Sequence, residues 1–236
     1  MTMADNPAPV IGAASEKGPK RPLNADAYAH HVHNGRLAVA VVDGTGSTPE
    51  VARLARMAAD FSATTAAMTA PARAIMDASR LTGEPPTLDP STPTGSVVVA
   101  AAWPDIWYVA WAGDAAAYGW NDDEDGVWRL TTPHTHGQLL RDQGEPEETA
   151  RRHDHQPYNS LAAAPFVGVS AVSTEAKWIV LASDGLRLEE SAIEAFLKEN
   201  VDNARLAAEL LVKAGREKSN DDTTAVVVQH PTAGRR

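Results

Sequence analysis

Between residues 95 and 131 the chain runs through GSVVVAAAW, IWYVAWA, AAAYGW and GVWRLT, apolar stretches separated only by close turns. Runs this rich in β-branched and aromatic residues are strands, and such short connections join them as an antiparallel meander. The same segregation holds elsewhere. DAYAHHV and RLAVAVV flank His33-Asn34-Gly35, and Asn-Gly is the strongest short hairpin signal. FVGVSAVS, KWIVLAS and the closing TTAVVVQH add three more strands. Helical patterns fall between these groups. Ser47-Thr48-Pro49-Glu50 starts a long Ala-rich helical stretch that reaches about residue 80 and is broken near Pro71. Two amphipathic stretches follow late in the chain, at 189–198 and 203–216. Strand runs and helix pairs that do not alternate define an α+β fold, with antiparallel sheets covered by helices.

A chain of 236 residues fits one domain or two small ones and can bury a sizeable core. Residues 1–20, rich in Ala, Pro, Gly and Lys with no period, are expected as a mobile tail. The segment 136–155 is polar with a weak helical period and is expected as a small flap-like insert shaping access to a site. The net charge of −10 argues against nucleic-acid binding, which needs clustered Lys and Arg. The absence of cysteine excludes disulfides, thiolate nucleophiles and zinc–thiolate sites. No secretory leader pattern is visible, and the most apolar region, 97–112, is interrupted by Pro104 and Asp105. The expectation is a soluble, cytoplasmic protein with no membrane partner.

Carboxylates stand where these strands begin or end. Asp43 lies in VVDGTGS, Asp114 in WAGDA, Asp184 in LASDG, Asp221 and Asp222 in SNDDTTAVVV, and Asp26 in LNADAY. Each alone is ordinary turn chemistry, and a structural or interaction protein with Asp turns would account for any one of them. Together, strand ends of one sheet system lie near each other, and clustered carboxylates repel unless a cation neutralises them. Oxygen-only donors suit hard ions such as Mg²⁺ or Mn²⁺ rather than zinc.

Other candidates carry less. The pairs His30-His31, His134/His136 and His153/His155 lack helical i, i+4 metal spacing and are expected as surface or flap residues. The six tryptophans are expected in the core. The 121–126 run NDDEDG is expected as a solvated hairpin turn. No G-x-S-x-G elbow supports a triad around Ser160, and GTGS lacks the ending of a phosphate-binding P-loop.

In order and spacing, Arg21 with Asn24-Ala25-Asp26-Ala27, VVDGTGS, TGSVVVA, VAWAGDAAAYGW, WRLTTPH, LASDGL and DDTTAVVV resemble the metal-dependent protein serine/threonine phosphatases of type 2C, the PPM family, in its compact bacterial form. The resemblance implies an antiparallel β-sandwich with helices on both faces (α-β-β-α), a single catalytic domain over 21–232 and a tail at 233–236. It implies two Mn²⁺ or Mg²⁺ ions that activate water toward phosphoserine or phosphothreonine in a protein substrate. Asp43 would bridge the ions, the Gly44 carbonyl would bind one, and Asp184 and Asp221 would complete the other. Asp114 would support a third, weaker ion, Asp26 would orient water, and Arg21 would hold the substrate phosphate. Three positions depart from the family pattern: Ala25 stands where a Glu is frequent, Thr45 where many eukaryotic members carry His, and Ala115 where Ser is usual. Ala25 is the main support for the alternative, a pseudophosphatase-like module that binds phosphoprotein with weak or no turnover.

Overall fold

The computed structural model describes residues 9–123 and 126–232. Among these residues ten strands form two antiparallel sheets. The first contains β1 (Ile11–Glu16), β10 (Thr223–Gln229), β9 (Trp178–Ala182), β6 (Ala116–Trp120) and β7 (Val127–Arg129), in that spatial order. The second contains β2 (Asp26–His33), β3 (Arg36–Gly44), β4 (Gly95–Trp103), β5 (Ile106–Ala112) and β8 (Ser170–Thr174).

Period-two alternation sorts the central strands into two buried faces. Leu37, Val39 and Val41 of β3, with Val98 of β4, meet Ile179 and Leu181 of β9 and Val226 and Val228 of β10 in one inter-sheet core. The intervening residues face helices. Ala38, Ala40 and Val42 pack under α1 (Pro49–Met68) and α2 (Pro71–Ala78), against the alanines Ala55, Ala58, Ala59, Ala63 and Ala66. On the other side Val180, Ala225 and Val227 pack under α6 (Glu190–Glu199) and α7 (Ala204–Lys218), through Ile193, Leu197 and Leu211. The layers are therefore α-β-β-α.

Local signals explain the joints. Asn34 and Gly35 both take positive φ, 50° and 80°, as a tight primed turn between β2 and β3 requires. The Thr48 side chain accepts a hydrogen bond from the Val51 N–H, capping α1, and Pro49 occupies the first turn. Pro71 opens α2 and separates it from α1.

Three expectations need correction. The four runs between 95 and 131 do not form one meander, because β4 and β5 lie in one sheet and β6 and β7 in the other. The chain changes sheet at Gly113, whose φ of 106° and contact with Ser96 leave no place for a side chain. Second, the mobile tail expected over 1–20 contains β1, paired with β10 from Ile11↔Val228 to Glu16↔Thr223. Its small residues suit the site, since Gly12 lies directly against the backbone of Ala204 and Arg205 where α7 starts. Residues 1–8 and 233–236 lie outside the described residues. Third, the run FVGVSAVS is not all strand: Phe166 and Val167 end a short helix, α5 (Ala164–Val167), and β8 starts at Ser170.

The insert forms two short helices, α3 (His136–Asp142) and α4 (Glu147–Arg151). Arg141 ties them together, donating to both carboxylate oxygens of Glu147 at 2.8 and 2.9 Å and to both of Asp154 at 2.6 and 2.8 Å. Among the described residues no helix is long and apolar enough to cross a membrane.

Candidate functional site

In β3 the inward positions read Leu37, Val39, Val41 and then Asp43. Asp43 is therefore the last inward residue of a strand that continues to Gly44, and it does not sit in a turn. It pairs in register with Asp26 on β2 and with Ser96 on β4. Directly opposed residues on neighbouring strands share a face, so Asp26, Asp43 and Ser96 form a polar row where the inter-sheet core ends.

The other sheet closes on that row. The Asp184 N–H, two residues beyond β9, donates to Asp43 Oδ2 at 3.1 Å. Thr224 Oγ1 donates to Asp26 Oδ2 at 2.8 Å, and the Thr224 N–H donates to Ser183 Oγ at 2.9 Å. Asp114 joins through Ser96, whose hydroxyl donates to Asp114 Oδ1 at 2.5 Å and accepts from the Asp114 N–H at 3.1 Å. The sheet crossover at Gly113 is thus what delivers Asp114 to this end of the sandwich.

Packing carboxylates together here carries an electrostatic cost. Burial, then the charges of Asp222 and Asp184, push Asp26 up to about 7, against the hydrogen bonds from Ser183 and Thr224. Burial and the neighbouring charges of Asp184, Asp26 and Asp114 raise Asp43 well above the usual carboxylate range. Asp184 is raised to about 6 by burial, Asp114 and Asp221, with Arg187 opposing. These are the signs expected of carboxylates that lack a compensating cation.

Arg21 and Asp221 are joined directly. Arg21 Nη2 lies 2.5 and 2.6 Å from the two carboxylate oxygens of Asp221. The sequence expectation gave these residues separate tasks, phosphate and metal, and the structure shows them as each other's partners. Among the described residues no group of three His, Cys, Asp or Glu side chains is arranged to hold a metal ion as it stands. The expected residues share one end of the fold, but Asp221 is drawn to Arg21.

Two residues named from the sequence take supporting roles that it did not assign to them. Asp222 is buried and brackets the segment before β2, accepting from the Gly18 N–H at 2.7 Å and the Ala25 N–H at 2.8 Å. The sequence placed it among the strand-end carboxylates, beside Asp221, without a role of its own. Replacing Asp222 with Ala strands two buried N–H donors, and the expected cost is about 3 kcal/mol in a urea unfolding titration, with Asp222→Asn losing less. An unchanged midpoint would show that the bracket contributes nothing.

His134, expected at the surface or flap, is buried instead. It stacks on Trp111, its Nδ1 accepts from the Gly113 N–H at 3.2 Å, and its Nε2 lies 2.9 Å from Ser170 Oγ. It supports the Gly113–Asp114 corner. Trp107, Trp111, Trp120 and Trp178 are core residues as expected, while Trp103 and Trp128 are half-buried. In the 121–126 run, Asp122 and Asp123 pair with Lys177, and residues 124 and 125 lie outside the described residues.

The architecture is a two-sheet α-β-β-α sandwich whose chemistry-bearing side chains converge at one end between the sheets. That is the fold of the PPM-type bacterial serine/threonine phosphatases. The serine/threonine phosphatase of Staphylococcus aureus is similar over 97% of this chain and 98% of its own, with a TM-score of 0.79 and 16% identity. The serine/threonine phosphatase of S. agalactiae matches 94% of this chain and 99% of its own, at 0.79 and 18%. The PPM Ser-Thr phosphatase of Mycobacterium smegmatis matches 93% and 97%, at 0.73 and 22%. No protein-family model matches the sequence, and no curated protein matches it.

Proposed function

We propose that the chain hydrolyses phosphoserine and phosphothreonine in proteins, using two divalent cations, Mn²⁺ or Mg²⁺, held by the carboxylates at the strand ends. The observation that carries this reading is the group Asp26, Asp43 and Asp184, crowded in mutual repulsion within a fold whose solved neighbours are serine/threonine phosphatases. Carboxylates kept together largely out of water call for a compensating charge. The donor set fits a hard cation, since every candidate is an oxygen and the chain has no cysteine.

Asp43, Asp184 and Asp221 are the proposed ligands, with the Gly44 carbonyl beside them and Asp114 serving a third, weaker position. When bound, such cations acidify water and offset charge on phosphoryl oxygens. The chain's own side chains do the rest. Asp43 is held in position by the Asp184 N–H, and Asp26 is fixed by Thr224 where it can orient a water. Arg21 offers a planar fork to the phosphate once Asp221 turns from it. Side-chain exposures of 31% and 30% leave that pair free to part. Thr45 stands beyond Asp43-Gly44 where a histidine acid could have been, so water is left to protonate the leaving oxygen.

Phosphate release from a phosphothreonine peptide, present with manganese and lost on chelation, tests the reading. Release that ignores the metal, or none under any condition, overturns it, and tight phosphopeptide binding without release would support the pseudophosphatase-like module instead. Arg21→Ala is expected to raise KM for the peptide by about tenfold or more, the scale of a lost charge-assisted contact, and to change manganese affinity much less. An unchanged KM contradicts the role given to Arg21.

A further inference from the structure

Beside the carboxylate end lies a cleft of about 880 Å³, lined by Asp114 and Asp184 of that site, by Arg129 and Arg187, and by the α3–α4 insert. Two of its four arginines are engaged. Arg141 spends its fork on Glu147 and Asp154, and Arg151 rests against Glu147 at 3.5 Å. The other two differ. Arg129, on the edge strand β7, and Arg187, three residues beyond Asp184, are exposed and form no ion pair among the described residues. The Arg129 guanidinium lies 5.9 Å from the centroid of the Tyr118 ring, and Glu189 and Glu190 share a pocket with it.

Arg129 and Arg187 are not alone in lacking a carboxylate, since among the described residues Arg36, Arg53, Arg56, Arg80 and Arg216 form no ion pair either. What sets the two apart is that they line one cleft beside the carboxylate end. Arg73, Arg152, Arg205 and Lys177 each hold a carboxylate even on the open surface. Two exposed forks in one cleft, next to the proposed phosphate-hydrolysing end, can take an anion from outside, although Glu189 also lines the cleft and Arg187 already tempers the charge of Asp184.

We infer that Arg129 and Arg187 read acidic side chains flanking the phosphorylated residue, so that the substrates are phosphopeptides with Asp or Glu close to the phosphoserine or phosphothreonine. The inference rests on the phosphatase reading and names its substrate class. A peptide whose phosphate reaches the carboxylate end must lay its neighbouring residues along the cleft. A guanidinium fork there takes a carboxylate in two parallel hydrogen bonds. Each contact is partly exposed and individually modest, so two of them produce a preference of about tenfold, not an absolute requirement.

The test uses phosphothreonine peptides of equal length with glutamate, glutamine or lysine flanks, and one with a second phosphothreonine in place of the glutamates. Both kcat/KM with manganese and binding by fluorescence anisotropy are measured, for the wild-type chain and for R129Q/R187Q. Expected is a glutamate-over-lysine ratio of about tenfold in both readouts, falling toward about twofold in the double variant and at high salt. A wild-type ratio near one, or a ratio the double variant leaves intact, overturns the inference. A preference confined to the doubly phosphorylated peptide also overturns it. If no peptide is hydrolysed but the glutamate preference survives in binding, the phosphatase reading fails and the cleft assignment stands. If p-nitrophenyl phosphate and all peptides are turned over alike, the phosphatase reading stands and the cleft assignment fails.

Discussion

Asp184→Ala is expected to lower manganese-dependent phosphate release by at least about 10³-fold, the scale set by losing one ligand from a cation that offsets transition-state charge. The same substitution is expected to make the metal-free protein more stable. These opposite effects follow from the geometry. Asp184 supports its surroundings through its backbone N–H, which holds Asp43, and alanine keeps that donor. What alanine removes is a carboxylate that repels Asp43 and Asp26 and is itself repelled by Asp114 and Asp221. Thermal melts in chelator, run beside the phosphate assay, check both halves. A variant that loses activity and stability together would show that Asp184 is a structural residue.

The second large effect is a dependence of stability on pH that manganese reverses. In the folded chain Asp26 titrates at about 7 and Asp184 at about 6, against 3.8 for a free aspartate, and Asp43 is raised as well. Between those limits the folded state holds more protons than the unfolded one. Their contribution is complete below about pH 4 and is lost as pH rises through about 6 to 7. Cations bound to the folded state alone add stability by mass action, and they compete with protons for the same oxygens. Saturating manganese should therefore raise Tm by about 5–10 °C near neutrality and by much less near pH 5. Melting curves in chelator and in manganese that stay parallel across pH would count against a cation at these carboxylates.

Much of the fold could be read from local pattern because its signals are local. The Asn34-Gly35 turn, the Thr48-Pro49 start and the break at Pro71 each act within a few residues, and each lies where expected. Sheet membership is different. A strand buried on both faces, such as β4 or β9, is apolar throughout, so its sequence does not say which neighbour it chooses. Hence β5 and β6 looked continuous although the chain changes sheet between them. β1 escaped notice because IGAASE has little intrinsic strand preference and is held by its pairing with β10 and its packing on α7.

The site divides in the same way. Asp26, Asp43, Asp114 and Asp184 were visible because each continues or terminates an apolar run. Asp26 and Asp43 lie within strands, whereas Asp114 lies at the bend between the sheets and Asp184 in the turn that the Leu186 N–H closes on the Ser183 carbonyl. The Arg21–Asp221 pair was not visible, since it joins two loops 200 positions apart and depends on where both sheets end. Arg129 and Arg187 stand out only once the fold sets them in one cleft beside Asp114 and Asp184.

The bracket made by Asp222 has a further bearing on how the molecule is made. Gly18, Ala25 and Asp26, before and at the start of β2, are each held by a residue 197 to 204 positions later, Asp222 or Thr224. The strands β2 through β5 pair among themselves, but the carboxylate end closes only when the segment 222–224 is in place.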